Sequence, residues 1–596
     1  MFQSFEVTAR PEQGPPRLAA LRAELEAAGL DGFIVPRADA HQGEYVSARD
    51  ERLAWLTGFT GSAGFCVVLA DVAGVFIDGR YRTQVKAQVA DVYTPVPWPD
   101  TSLAAWLKEQ LPDGGRVGFD PWLHTPAQIE QAREALKGSG IELVQSENLV
   151  DRIWPDQPAP AAEMAKVHPL EFAGESHADK RARLAQTLTE AGANAAVITL
   201  PDSLCWLLNI RGTDIPRNPI VQGFAVLHAT GAVDLFMSPV KLDAVRDHLG
   251  DSVTCHAPDA FLPALAALAG PVLIDKSSVP VIVADTLGDA AQWGDDPCAL
   301  PKACKNAAEI EGSAEAHLRD GAAVVELLAW LDAQSPGSLC ETQVVTRLEE
   351  CRRRDNALQD ISFETIAGTG ANGAIMHYRV TEETDSTLQD GQLIVLDSGG
   401  QYLDGTTDIT RTIAIGTPPQ EARTAFTRVL MGMVAMSRLI WPKGLAGRDI
   451  EAIGRAPLWY AHQDFDHGLG HGVGAYLSVH EGPQRLARTS SVPFQPGMIL
   501  SNEPGYYREG AFGIRIENLL VVEQATPPPG GDAHREMLCW RTLTYAPIDR
   551  SLIVPDMLDA PSRAWLDAYH AETLARIGPR VSDPARAWLA GACRPL

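Results

Sequence analysis

Apolar residues at helical spacing, stopped by glycine and followed by a short apolar run, occur twice in the first half of this chain. Leu18, Leu21 and Leu25 lead through Ala28-Gly29 to Phe33-Ile34-Val35, and Leu184 and Leu188 lead through Ala191-Gly192 to Ala196-Val197-Ile198. Each copy predicts an amphipathic helix ended by glycine and then a buried strand. Trp55-Leu56 and Trp206-Leu207 recur at comparable depth, each ahead of a glycine-bearing loop and a second apolar strand, Phe65 to Leu69 and Phe224 to Leu227. The repeat predicts two related α/β domains. A proline-rich linker, Trp154 to Pro160, separates them, and the second ends near Leu300-Pro301-Lys302, so the expected segments are 1–158, 159–303 and 304–596. Beyond Asn306 a long helix is predicted from Ile310, Ala314, Leu318, Val324, Val325, Leu328 and Leu331. The tail after Pro555 reads as another amphipathic helix, through Trp565, Leu566, Tyr569, Leu574 and Ile577.

The third segment alternates short apolar strands with acids and imidazoles. Leu393-Ile394-Val395-Leu396 closes on Asp397, and eleven residues later Asp408 precedes the β-branched run Ile409 to Ile413. Two adjacent antiparallel strands would point both acids at one space. Glu503 follows Met498-Ile499-Leu500 and precedes the turn pair Pro504-Gly505. Alternation of Ile514 and Ile516 against Arg515 and Glu517 places the charged pair on one face of a strand. His467 and His471 lie among four glycines, with His480 close behind, and His377 ends another glycine-rich segment. Glycine at that density predicts backbone packed tightly against something. A lone buried histidine is usually structural; imidazoles clustered with acids point to a site.

Asp397, Asp408, His471, Glu503 and Glu517 together form the donor set of a carboxylate-bridged pair of divalent cations. Four carboxylates cannot share a pocket without a cation to neutralise them, because an isolated buried charge costs several kcal/mol or more. Two cations about 3.5 Å apart can share a hydroxide and polarise the carbonyl that it attacks. Oxygen-rich donors with one imidazole favour Mn²⁺, and spacing leaves Co²⁺, Fe²⁺ and Zn²⁺ open.

The chain has 596 residues, too many for one core. Its formal charge of −26, from 50 basic and 76 acidic side chains, argues against nucleic acid or an anionic membrane as partner. The nine cysteines stand singly, without a CxxC pair, as expected of reduced thiols in a cytosol. Met1 to Pro16 lacks a cationic start followed by an apolar core, and no segment has the length of a membrane span. A cytoplasmic location is expected.

At these residues the sequence resembles the pita-bread metallopeptidases, specifically the three-domain, cytosolic-type Xaa-Pro aminopeptidases. The resemblance covers nearly the whole chain. It is carried by Gly368 to Tyr378, Leu396-Asp397-Ser398-Gly399, Thr407 to Thr412, His467 to Gly474, Asn502-Glu503-Pro504-Gly505 and Gly513 to Asn518, all in family order. It implies two creatinase-like α/β domains followed by a pita-bread catalytic domain with a C-terminal extension, thus an α/β and α+β multidomain chain. It implies hydrolysis of the N-terminal Xaa-Pro bond of peptides through a metal-bridging hydroxide. Asp397 would lie on one Mn²⁺, His471 and Glu503 on the other, and Asp408 and Glu517 on both. Glu503 would also shuttle the proton, His377, His467 and His480 would steady substrate and intermediate, and Phe363, Tyr507 and Arg515 match the proline pocket. A homodimer is implied by family likeness alone. The chain departs from the family at Leu469 and at Gly312-Ser313-Ala314, which spare the ligands and bear on packing.

Arg411 and Arg515 also admit a plainer role, since an arginine beside metal-bound carboxylates often holds them in place. Among rival activities, a peptide- or histone-binding relative or a metal-free creatinase would have lost ligands that stand here. A prolidase would keep the same site, and the duplicated N-terminal domain and C-terminal extension favour the aminopeptidase. A two-metal phosphoesterase would need a basic phosphate pocket, for which the region offers little beyond Arg411 and Arg515.

Overall fold

The computed structural model describes residues 1–596. They divide into two compact units, Thr8–Leu170 with Glu175–Ala299, and Leu300–Leu596 with Met1–Val7 and Glu171–Gly174.

The first unit holds two six-stranded sheets. In chain order the first comprises Gly32–Pro36, Phe65–Leu69, Ala73–Ile77, Thr94–Pro97, Gly115–Phe119 and Ile141–Gln145. The second comprises Ala195–Ile198, Phe224–His228, Val233–Phe236, Val253–His256, Val272–Ile274 and Ala291–Trp293. Both take the spatial order fourth, third, second, first, fifth, sixth. The senses of pairing match as well: the first three strands pair antiparallel in series, and the fourth and fifth join parallel to the third and first. The repeat seen in the apolar pattern is therefore a repeat of topology. Its helices match too. Gly14–Ala28 buries Leu18, Leu21 and Leu25 and ends at Gly29 with φ 62°, while His177–Glu190 buries Leu184 and Leu188 and runs into Gly192 with φ 71°. A left-handed residue at that point costs glycine nothing and turns the chain back into the sheet.

In the second unit the helix Ala307–Asp332 starts at Asn306, whose side chain accepts from the N–H groups of Ala308 and Glu309, with Glu309 answering as a capping box. Its face Val324, Leu327, Leu328 and Leu331 packs on Ile394, Leu396 and Ile409 of a three-stranded antiparallel sheet, Ile366–Thr369, Leu393–Ser398 and Ile409–Ala414. A six-stranded sheet runs in the order Ile440–Pro442, Met537–Thr542, Asn518–Gln524, Ile499–Asn502, Gly470–Gly472, Glu481–Leu486. The helix Gln420–Ser437 covers it with Phe426, Leu430 and Met433, against Leu469, Leu500 and Val522. The tail forms the expected helix, Ala560–Ile577, with Leu566, Tyr569 and Ile577 buried. No helix is long and apolar enough to cross a membrane.

One local expectation needs correcting. The alternation from Ile514 to Glu517 predicts one strand, yet Phe512–Arg515 pairs with Gly505–Arg508 in a hairpin while Asn518–Gln524 joins the large sheet. Ile516 and Glu517 make the crossing. The Glu517 N–H donates to the Thr410 carbonyl at 3.1 Å, so the backbone there serves the junction of two sheets instead of one ladder.

Candidate metal centre

Each acid sits where a strand ends. Asp397 is the penultimate residue of Leu393–Ser398 and lies opposite Ile366 on one side and Thr410 on the other. Asp408 immediately precedes the partner strand, so the antiparallel pair does bring both acids to one edge. Between them Gly399 packs against the returning chain, where a Cβ would lie 1.9 Å from the Thr407 carbonyl oxygen. Glu503 follows the strand Ile499–Asn502, held by donation of its N–H to the Leu469 carbonyl at 2.8 Å. His471 occupies the short strand Gly470–Gly472 at a β-bulge. A Cβ on Gly470 would lie 1.9 Å from the Ser501 carbonyl oxygen, which is why glycine brackets this imidazole.

The five donors converge. Potential ligand atoms of Asp397, Asp408 and Glu517 lie within 4.8 Å of one another, as do those of His471, Glu503 and Glu517, and those of Asp408, His471 and His480. Glu517 belongs to two groups, and Asp408 reaches the second half through His471, whose Nε2 is 3.5 Å from Asp408 Oδ2 and 3.3 Å from Glu503 Oε1. His471 Nδ1 lies 2.9 Å from the Gly472 carbonyl. A carbonyl only accepts, so Nδ1 carries the proton and Nε2 turns its lone pair to the carboxylates, the tautomer a metal ligand needs. Asp397 Oδ1 is buried and accepts no hydrogen bond. The His480 ring meets His471 edge-on with centroids 4.3 Å apart.

Electrostatics show what the cluster lacks. Burial, then repulsion from Glu517, Asp397 and Glu503, pushes Asp408 well above the usual carboxylate range. Burial, then Glu503 and Asp397, does the same to Glu517. Burial raises Glu503 to about 7, with Arg515 pulling it down and Asp397 pushing it up. Groups that resist losing their protons this strongly are waiting for positive charge. The donor set, the His471 Nε2 turned to the carboxylates and the Asp397 oxygen that accepts no hydrogen bond all fit a pair of hard divalent cations.

A chain of hydrogen bonds backs the acids. Arg515, 3% exposed, donates from Nη2 to Asp397 Oδ2 at 2.5 Å, from Nη1 to the Tyr507 hydroxyl at 2.6 Å and from Nε to Thr410 Oγ1 at 3.2 Å. Thr410 passes its own hydroxyl proton to Glu517 Oε2 at 2.8 Å. Tyr507, having accepted from Arg515, donates to His467 Nε2 at 2.9 Å, while His467 Nδ1–H donates to the Gly468 carbonyl at 2.7 Å. His467 Nδ1 also faces Glu503 Oε2 at 3.9 Å. The Arg515 fork is thus committed to Asp397, Tyr507 and Thr410, the plainer of its two readings. Arg411 departs from both expectations. Its guanidinium binds no carboxylate; it takes the carbonyls of Thr410 and Glu517 at 2.9 and 2.6 Å, the Asn518 amide oxygen and the Tyr569 hydroxyl. It pins the backbone on which Asp408 and Glu517 ride.

Phe363 is half-buried beside Ser362, whose N–H donates to Gly399 and whose hydroxyl donates to the Thr407 carbonyl at 2.8 Å. His377, also half-buried, follows Met376, whose carbonyl accepts from Arg515 at 3.4 Å. Two hydroxyls escaped the sequence reading. Thr410 holds Glu517, and Ser501 donates to Glu503 Oε1 at 3.0 Å while accepting the His471 N–H at 2.9 Å. A signal existed: each stands two residues from an acid, Asp408 or Glu503, so on the same strand face.

Tyr507→Phe tests this chain. Removing the hydroxyl leaves buried Arg515 and half-buried His467 each short of a partner, which costs about 1–3 kcal/mol. The expected result is a fall of about tenfold in kcat/KM with a lowered melting temperature; unchanged kinetics would disconnect the chain from the acids.

Residues 17–153 and 156–309 each match the creatinase/prolidase N-terminal domain, residues 311–524 match metallopeptidase family M24, and residues 536–596 match the C-terminal region of peptidase M24. Aminopeptidase P2 of Arabidopsis thaliana is 36% identical over 617 residues, covering 95% of this chain and 86% of its own. A probable Xaa-Pro aminopeptidase P of Laccaria bicolor is 37% identical over 601 residues, covering 97% of this chain and 93% of its own. Among solved structures, X-prolyl aminopeptidase from Caenorhabditis elegans, described as a cytosolic enzyme with a di-nuclear active site, matches with a TM-score of 0.93 at 31% identity, covering 98% of this chain and 100% of its own. The chain belongs to metallopeptidase family M24 and, at this identity along nearly its whole length, to the aminopeptidase P group within it.

Proposed function

We propose that this chain is a dinuclear-metal aminopeptidase that hydrolyses the N-terminal Xaa-Pro bond of peptides, with Asp397, Asp408, His471, Glu503 and Glu517 as metal ligands. The convergence of these five donors on one buried space carries the reading. Two divalent cations, when bound, supply an activated water and a Lewis acid for the scissile carbonyl. Mn²⁺ suits the hard donor set best.

The chain's own residues do the rest. Glu503 is the acid that would shuttle a proton between water and leaving nitrogen. Ser501 fixes one of its oxygens. His467 has both ring nitrogens engaged, so it steadies Tyr507 and Glu503 without transferring protons. His480, against His471, and His377, next to the carbonyl bound by Arg515, line the space for substrate and intermediate. A prolyl nitrogen after the scissile bond offers no N–H, so shape must select it; Phe363 and Tyr507 remain the side chains for that wall. Arg515 contributes through Tyr507, since its own fork is taken.

The enzyme, loaded with Mn²⁺, is expected to release arginine from Arg-Pro-Pro. Turnover confined to Ala-Pro, with Arg-Pro-Pro and Ala-Ala-Pro untouched, would make it a prolidase; a rate indifferent to exhaustive chelation would remove the metals. A cytoplasmic location and a homodimer complete the proposal, and a single-subunit mass by light scattering would remove the dimer.

A further inference from the structure

The first residues of the chain lie on the unit that carries the acids. Gln3, 3% exposed, holds the backbone of one residue with both ends of its amide: Nε2 donates to the Thr365 carbonyl at 3.2 Å, and the Thr365 N–H donates to Oε1 at 2.8 Å. Phe2 donates its N–H to both oxygens of buried Glu349, at 2.9 and 3.0 Å. The Phe5 carbonyl accepts from the Glu382 N–H at 2.8 Å, and its side chain packs against the core that holds Leu328, Ile366 and Ile394. Arg379 donates to the carbonyls of Glu6 and Ser4 at 2.8 and 3.0 Å, and from Nε to the Glu364 carboxylate.

These anchors are not scattered. Thr365 and Glu364 directly follow Phe363, and the next residue, Ile366, stands opposite Asp397. Arg379 is two residues beyond His377. The strap therefore ties together two segments that are adjacent in space, one bearing Phe363 and the other His377, with the Arg379–Glu364 pair as the buckle. Surface ion pairs alone add little, but the buried Gln3 amide satisfies both the N–H and the carbonyl of buried Thr365.

We propose that residues 1–7 act as a positioning strap, with Gln3 its key residue, that sets the distance between Phe363 and His377 and so the fit of the substrate around the scissile bond. This rests on the function proposed above. The strap touches none of the five donors, so its loss should weaken substrate binding and spare metal binding.

Two variants test it, Gln3→Ala and a chain lacking residues 2–7, both loaded with Mn²⁺ and assayed on Arg-Pro-Pro well below their melting temperatures. Removal of uniform binding raises KM without changing kcat, so the expected result is a rise in KM of about tenfold, with kcat and Mn²⁺ affinity each within about twofold of the wild type. Adding the free heptapeptide Met-Phe-Gln-Ser-Phe-Glu-Val should lower KM for the truncated chain. Wild-type KM in both variants overturns the strap alone, as does a parallel fall in kcat and Mn²⁺ affinity, the mark of general loosening. An inactive wild type would sink the function first and the strap with it.

Discussion

Asp408→Asn is expected to abolish peptidase turnover while making the metal-free protein harder to melt. The loss should reach at least about 10³-fold, since a cation held in the wrong place forfeits several kcal/mol of charge stabilisation. The gain in stability comes from the same carboxylate. Without cations, Asp408 is buried against Glu517, Asp397 and Glu503, and its proton is held well above the usual range. Folded-state values raised above the unfolded ones mean that the folded chain binds more protons at neutral pH. Stability from Asp408, Glu517 and Glu503 is then fully present below the ordinary carboxylate values and is lost as pH rises, through about 7 for Glu503. Melting with a chelator present should therefore fall between pH 5 and 8 in the wild type and fall less in Asp408→Asn. Added Mn²⁺ should lift the wild type by mass action and the variant little. If the metal-free wild type melts at one temperature across that range, like-charge crowding does not govern the site.

Arg515→Met should be nearly as damaging, for a different reason. The guanidinium is the one cation bonded directly to an acid of the cluster, at 2.5 Å from Asp397. Removing one partner of a buried ion pair costs about 3–5 kcal/mol, because the other charge is left uncompensated. Activity should fall about 10²- to 10³-fold as Asp397 loses its orientation. Arg515→Lys separates charge from shape. Lysine restores the positive charge, but one ammonium cannot point at Asp397, Tyr507 and Thr410 along the three directions that the fork covers. Thermal melting should recover in Arg515→Lys more than kcat does. Recovery of full kcat would reduce Arg515 to a counter-charge.

Much of this was legible in residue order. The duplicated helix-glycine-strand pattern became two sheets of one topology, and the acids that close apolar runs came together at strand ends. Glycines around His471 were read correctly as marks of close packing, and Gly470 leaves no room for a side chain against Ser501. Alternation failed at Glu517, because a period of two cannot distinguish one strand from two that meet at a sheet crossing. Arginine chemistry suggested carboxylate partners for Arg411, whereas burial beside a sheet junction offered it unpaired carbonyls first.

What the sequence determined by itself is local: helix starts and stops, strands, a repeat, and the chemical kinds of donor at their ends. These follow from neighbours a few residues apart, through periodicity and capping. The tertiary structure alone decided which oxygens share a space, which nitrogen of His471 faces the acids, where the Arg515 fork points, and that the first residues come to lie beside Thr365. Those outcomes join residues tens to hundreds of positions apart, where a few tenths of an ångström and the competition among buried partners choose the bond.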